Sequence, residues 1–318
     1  MKIVCLEGNC LGDDVDLTCL EEFGEVTVYG LSTVAETPER VKDAEVIIVN
    51  KVPMNATTLS EAKNLKAICV TATGTNIIDT EYTNARGITV MNVQGYSTDA
   101  VVQHTFALLF YVYEKLSYYD TFVKSGAYTK NDIFSHFDKR FFELKGKTWG
   151  IIGLGEIGRG VAKIAQAFGC NIIYYSTSGK NYNQEFKKVT LDELLSQSDI
   201  VSIHAPLNEQ TKDLIGAAEF DKMKDSAVIL NLGRGSIINE ADLADALEQD
   251  KIAAAALDVL STEPMAADNP LLRIQDSTKL IITPHIAWAA VETRRRVVDE
   301  VCLNMRAFLA GVERNIVK

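Results

Sequence analysis

Short β-branched runs recur along the whole chain, and each is followed by enough residues for a helix. In the amino-terminal part these are "KIVCL" (2–6), "EVTVYG" (25–30), "EVIIVN" (45–50), "KAICVTA" (66–72) and "ITVMNV" (88–93). A second series holds "KTWGIIG" (147–153), "NIIYYS" (171–176), "DIVSIHA" (199–205), "SAVILNL" (226–232), "AAAALDV" (253–259) and "KLIIT" (279–283). The runs are continuously apolar rather than alternating, so each strand expects cover on both faces. Strands of that kind joined by crossover helices form parallel sheets. Asp13, Thr37 and Ser60 are placed to cap the intervening helices of the first series.

The sequence therefore predicts an α/β protein with two doubly wound parallel sheets. The first series reads as a flavodoxin-like domain and the second as a six-stranded Rossmann-type domain. The 318 residues exceed one ordinary core. We assign 1–98 with 287–318 to the first domain and 99–286 to the second, expecting the helical stretch 291–311 to return to the first. Between the series lie a helical run (98–125) and an aromatic segment, "DIFSHFDKRFFEL" (132–144), with His136, a candidate dimer contact.

A formal charge of −11 argues against nucleic acid or an anionic membrane as a partner. The longest apolar stretch, "VVQHTFALLFYVY" (101–113), falls short of the ~20 residues that span a bilayer and reads as a buried helix, with His104 packed in it. "MKIVCLEGNC" shows no signal peptide. The six cysteines include no Cys-x-x-Cys pair and read as reduced core residues of a cytoplasmic protein, with no metal site expected.

"GIIGLGEIGRG" (150–160) follows a strand and opens a helix, the context that gives G-x-G-x-x-G its meaning as a dinucleotide loop. Gly153 would make the turn, Gly155 admit a pyrophosphate and Gly158 let helix and strand pack closely. The helix start, with Glu156 and Ile157, offers N–H groups to the phosphates. At the end of the next strand an acidic residue would select NAD. Here Ser176 stands in that place, followed by Thr177, Ser178 and Lys180. Hydroxyls and an ammonium suit a 2′-phosphate, so NADP is favoured over NAD.

Arg234, Glu263 and His285 each follow a strand of the second series, and ligands bind beyond the carboxyl ends of such strands. At this point "NLGRGSIINE" (231–240), "LDVLSTEP" (257–264), "ITPHIAW" (282–288), "TATGTNIID" (71–79) and the glycine loop closely resemble the D-isomer-specific 2-hydroxyacid dehydrogenases over essentially the whole chain. The resemblance implies that Arg234 holds the substrate, Glu263 pairs with the histidine and His285 is the acid/base. It implies that Asp258 contacts the nicotinamide amide, with Leu232 and Gly233 near the cofactor. It also implies that backbone N–H groups around Thr73, Gly74 and Thr75 receive the substrate carboxylate. "HAPLNEQT" (204–211) is similar to the family's loop beside the nicotinamide ribose, which brings in Ala205, Pro206 and Thr211.

The residue types fit that chemistry. Hydride arriving at a 2-oxo acid's carbonyl carbon leaves charge on oxygen, which a positioned acid neutralises. Imidazole titrates near neutral pH, a carboxylate beside it favours the imidazolium, and arginine offers a planar fork to carboxylate and carbonyl. "PHIAWAA" and "NKVP" (50–53) are similar to glycerate dehydrogenases, also called hydroxypyruvate reductases. The substrate expected is a small 2-oxo acid or D-2-hydroxy acid, hydroxypyruvate or glyoxylate first, in a homodimer. One departure is Gln103, where many relatives carry glutamate. His204 ends a strand near the cofactor path, and "ETRRRVVDE" (292–300) reads as a solvated helix face. The alternatives are a nucleotide-sensing regulator like the carboxyl-terminal-binding corepressors, or an enzyme of this fold acting on formate or phosphite. A missing low-complexity tail counts against the first, and the histidine–glutamate pair against formate.

Overall fold

The continuously apolar runs do become parallel strands. In the computed structural model, which describes residues 1–180, 182 and 185–317, they form two sheets in two separate units. One unit comprises Met1–Ser97 and the segment from Ala289 onward; the other is Thr98–Trp288.

The first unit holds β1 (Lys2–Cys5), β2 (Glu25–Val28), α1 (Thr37–Val41), β3 (Val46–Val49), β4 (Ala67–Val70), α2 (Thr80–Ala85) and β5 (Thr89–Met91). Its five strands run parallel in the order β2-β1-β3-β4-β5, the flavodoxin-like winding. Every residue of β3 and β4 is buried, which is why "VIIV" and "AICV" carry no polar alternation. The expected caps need correction. Thr37 is already inside α1, its hydroxyl donating to the Thr33 carbonyl at 2.7 Å. Asp13 and Ser60 head no helix, since β1 leads to β2 through 3-10 turns and β3 leads to β4 through a loop. That loop is closed by side chains. Asn55 accepts from the N–H groups of Thr57 and Thr58, and the Thr58 hydroxyl donates to the Pro53 carbonyl at 2.6 Å.

The second unit holds α3 (Thr98–Tyr113), α4 (Leu116–Lys124), β6 (Thr148–Ile152), α5 (Glu156–Ala167), β7 (Asn171–Tyr175), β8 (Lys187–Lys188), α6 (Leu191–Gln197), β9 (Ile200–Ile203), α7 (Ala217–Phe220), β10 (Val228–Asn231), α8 (Glu240–Glu248), β11 (Ala254–Leu257) and β12 (Leu280–Ile282). The sheet has seven parallel strands, β12-β11-β10-β9-β6-β7-β8, rather than six. The extra strand, β8, is two exposed lysines at the edge, too short and polar to register as an apolar run. α3 packs with α5 on one face, around Phe106, Leu109, Trp149 and Val161. Leu243, Leu247 and Phe220 fill the other.

α9 (Val291–Leu309) belongs to the first unit and buries Val297, Val298, Val301 and Met305. Its charged face is not merely solvated. Arg294 binds the Asp14 carboxylate and donates to the Leu11 carbonyl at 2.9 Å. The guanidinium holds the Asp14 carboxyl below the ordinary carboxylate range.

Candidate active site

The glycine loop forms the turn from β6 into α5. Gly153 adopts φ +92°, and a Cβ there would lie 2.9 Å from the Ala205 N and the His204 carbonyl. A Cβ on Gly158 would sit 2.3 Å from the Gly153 carbonyl, whereas one on Gly155 would meet nothing within 4 Å. Two of the three glycines therefore let backbones meet, and the third opens onto free space. Gly155 is also the N-cap of α5 and supplies no side chain to its first N–H groups. An uncapped helix start facing open space suits a pyrophosphate, with Glu156 and Ile157 opening that helix.

Beyond β7 lies an open cleft of about 670 Å³, lined in part by Ser176, Thr177, Ser178, Lys188 and Gln210. The Ser176 hydroxyl is buried and has no hydrogen-bond partner among the described residues. That orphaned group fits a ribose or phosphate oxygen. Lys180 does not line the cleft. Lys188 does, with its ammonium 3.0 Å from the Gly179 carbonyl. Sequence reading missed Lys188 because its proximity depends on β8 pairing with β7.

Ala205 and Pro206 follow β9. The Thr211 hydroxyl donates to the Pro206 carbonyl at 2.7 Å and accepts from Asn208 N at 2.8 Å, so it builds this loop. His204 has neither ring nitrogen hydrogen-bonded among the described residues, and burial pushes its pKa down to about 3.

The three candidate catalytic residues leave the carboxyl ends of β10, β11 and β12, which are neighbours in the sheet. Arg234 stands between two glycines, beyond Leu232, the first residue after β10. Asn231 fixes both sides of it, accepting from Gly233 N at 3.0 Å and donating to the Arg234 carbonyl at 2.9 Å. Gly235 passes so close to the next loop that a Cβ would lie 1.8 Å from the Leu260 carbonyl carbon. Glu263 accepts from Leu260 N at 3.0 Å through one oxygen and from His285 Nδ1 at 2.7 Å through the other. The carboxylate can only accept, so Nδ1 carries the proton and Nε2 is the nitrogen left for chemistry. His285 sits at φ +56°, a left-handed conformation costly for a non-glycine residue.

Asp258 is 2 % exposed, and its carboxylate accepts from Ile286 N at 2.9 Å and Ala287 N at 2.8 Å. It therefore holds the turn that carries His285. In the first unit, Thr73–Thr75 follow β4. The Thr73 hydroxyl donates to the Val93 carbonyl at 2.9 Å and the Asn92 side chain to the Thr73 carbonyl at 2.8 Å. The N–H groups of Thr73, Gly74 and Thr75 make no hydrogen bond among the described residues.

Comparison with known proteins identifies the family. Residues 106–287 match the family model described as D-isomer specific 2-hydroxyacid dehydrogenase, NAD binding domain. A hydroxypyruvate reductase of Blautia hydrogenotrophica is 41% identical over 100% of this chain and 99% of its own length. A glycerate dehydrogenase of Methylorubrum extorquens is 37% identical over 90% of this chain and 89% of its own. Among solved structures, an acyclic imino acid reductase in complex with NADPH and D-Arg superposes with a TM-score of 0.88 at 28% identity, covering 100% of both chains.

Proposed function

The chain belongs to the D-isomer-specific 2-hydroxyacid dehydrogenase family, and from that premise we propose that it reduces hydroxypyruvate or glyoxylate to the D-2-hydroxy acid. It is an oxidoreductase that moves a hydride between a nicotinamide cofactor and a small 2-oxo or 2-hydroxy acid. The observation that carries the reading is the His285–Glu263 pair at 2.7 Å, beyond the carboxyl ends of the sheet whose β6 end forms the glycine loop.

The cofactor supplies the hydride. The chain's own residues handle charge and position. With Nδ1–H given to Glu263, His285 Nε2 delivers a proton to the carbonyl oxygen in reduction and removes one from the hydroxyl in oxidation. Arg234 presents two parallel donors to the substrate carboxylate and carbonyl. The N–H groups of Thr73, Gly74 and Thr75, unengaged among the described residues, are donors of the kind a carboxylate requires. The second unit is the dinucleotide-binding domain in this reading.

NADPH is preferred over NADH, on the strength of the uncharged Ser176 and the neighbouring hydroxyls and Lys188. A cytoplasmic homodimer completes the proposal. Phe134, Phe137, Phe141 and Phe142 are exposed, and a second copy would bury such side chains. Initial rates over a panel of 2-oxo acids, with both reduced cofactors, test the reading. Hydroxypyruvate or glyoxylate should lead. Dinucleotide binding without reduction of any acid would overturn it in favour of a sensor.

A further inference from the structure

His104 lies in α3, a helix packed against β11 and β12, and not in any loop of the site. Its Nε2 stands 3.1 Å from the Thr283 hydroxyl and 3.6 Å from Asp258 Oδ1. The Thr283 hydroxyl lies 2.6 Å from the same Asp258 oxygen, within the range of an O–H bond to a carboxylate. Its other acceptor, the Leu257 carbonyl, is at 3.4 Å. Asp258 Oδ1 also accepts from Ile286 N at 2.9 Å, so donors converge on this oxygen. The single Thr283 proton therefore goes to Asp258. The Thr283 oxygen can then only accept from His104, which places the His104 proton on Nε2.

The chain of donors runs one way, from His104 through Thr283 to Asp258. Asp258 in turn holds the His285 turn at three points: its backbone carbonyl accepts from His285 N at 2.9 Å, and its carboxylate binds Ile286 N and Ala287 N. Among the described residues, His104 is the only basic side chain in ion-pair range of Asp258. A buried carboxylate needs such partners to keep its orientation.

We propose that His104 is a positioning residue: by fixing Thr283 and Asp258, it holds His285 in the left-handed conformation from which Nδ1 meets Glu263. The proposal rests on the reading of His285 as the acid/base. It touches no reacting atom, and it acts only through the turn.

Nitrogen–proton correlation NMR on histidine-labelled protein reads the tautomer directly, with His104→Leu assigning the signal. His104 should carry its proton on Nε2, and Thr283→Val should shift that proton's resonance. In steady-state kinetics, His104→Leu should lower kcat about 10- to 100-fold, the scale of a small misplacement of an acid. His104→Gln, which keeps a donor, should restore most of kcat. The double variant of His104→Leu and Thr283→Val should be no slower than Thr283→Val alone, because both act through one chain. A proton on Nδ1, or wild-type kcat in His104→Leu, overturns the proposal. If His104→Leu does not fold, the tautomer and the Thr283→Val response decide. Full turnover in His285→Ala would sink the acid/base reading instead, leaving the NMR signature of the chain untouched.

Discussion

Glu263→Gln keeps the size of the side chain and removes its charge, which isolates what the carboxylate does for His285. Its two oxygens accept from two donors, Leu260 N at 3.0 Å and His285 Nδ1 at 2.7 Å. An amide has one acceptor oxygen, so with the imidazolium that reduction requires, its NH2 faces one of those N–H groups whichever way it turns. Exchanging a charge-assisted bond for a neutral one forfeits about 1 to 1.5 kcal/mol. The donor left facing an NH2 adds about 1 kcal/mol, the low end of the usual range for a lost partner. The low end applies because the His285 and Glu263 side chains are 30% and 29% exposed, and water relieves part of the conflict. The sum, about 2 to 2.5 kcal/mol expressed in the transition state, is about a 30- to 70-fold fall in turnover. The assay is steady-state consumption of reduced cofactor with saturating hydroxypyruvate, beside a thermal melt showing an unchanged fold. Turnover within about twofold of wild type would refute the pairing as a source of catalysis.

Arg234→Ala should raise the KM for the 2-oxo acid about 10- to 100-fold, the worth of a charge-assisted pair, and Arg234→Lys should not restore it; substrate titrations check both. Gly235→Ala should lower the unfolding free energy read from denaturant titration by at least about 1–3 kcal/mol, the range typical of overpacking, because its Cβ meets the Leu260 backbone at 1.8 Å. Ser176→Asp should move the preference towards NADH by repelling the 2′-phosphate, read as the ratio of kcat/KM for the two cofactors. His204 has its folded pKa pushed from 6.5 down to about 3 by burial. Its stabilising effect is therefore complete above the unfolded value and lost as pH falls towards the folded one. Urea unfolding should show about 2 kcal/mol lost from this residue between pH 7 and 5, and His204→Phe should flatten that part of the profile.

The strands were legible because burial on both faces leaves an unmixed apolar signature, as in "VIIV" and "AICV". β8 was not, because a two-residue edge strand exists through its pairing with β7 and not through its own composition. The same limit hid Lys188, whose ammonium reaches the cleft only once that edge forms. Arg234, Glu263 and His285 were legible because each follows one of three successive strands, and the structure pairs the last two directly. His104 was read as packing because nothing local marks it. Its partners, Thr283 and Asp258, lie more than 150 residues away in sequence and meet it only because α3 crosses β11 and β12. Asp13 and Ser60 failed as caps for the opposite reason: a capping residue says where a helix would begin, but it does not make the next segment helical.

The two sheets reuse one device, and the comparison separates loop-building from ligand binding. Pro53, Asn55 and Thr58 after β3 have the same spacing and bonds as Pro206, Asn208 and Thr211 after β9, with threonine-to-proline-carbonyl distances of 2.6 and 2.7 Å. Since the first sheet carries this turn without a glycine loop, Thr211 is explained by the turn alone. What differs is the point where the winding reverses. In the first sheet, between β1 and β3, the Glu7 carboxylate takes the N–H groups of Asn50, Lys51 and Val52 at 2.8, 2.8 and 3.1 Å. An internal anion already occupies the donors there. In the second sheet, between β6 and β9, Gly153 and Gly155 replace any such side chain and the start of α5 stays uncapped. Donors left unsatisfied at a switch point are what a phosphate group requires, and among the described residues only the second sheet offers them at its own.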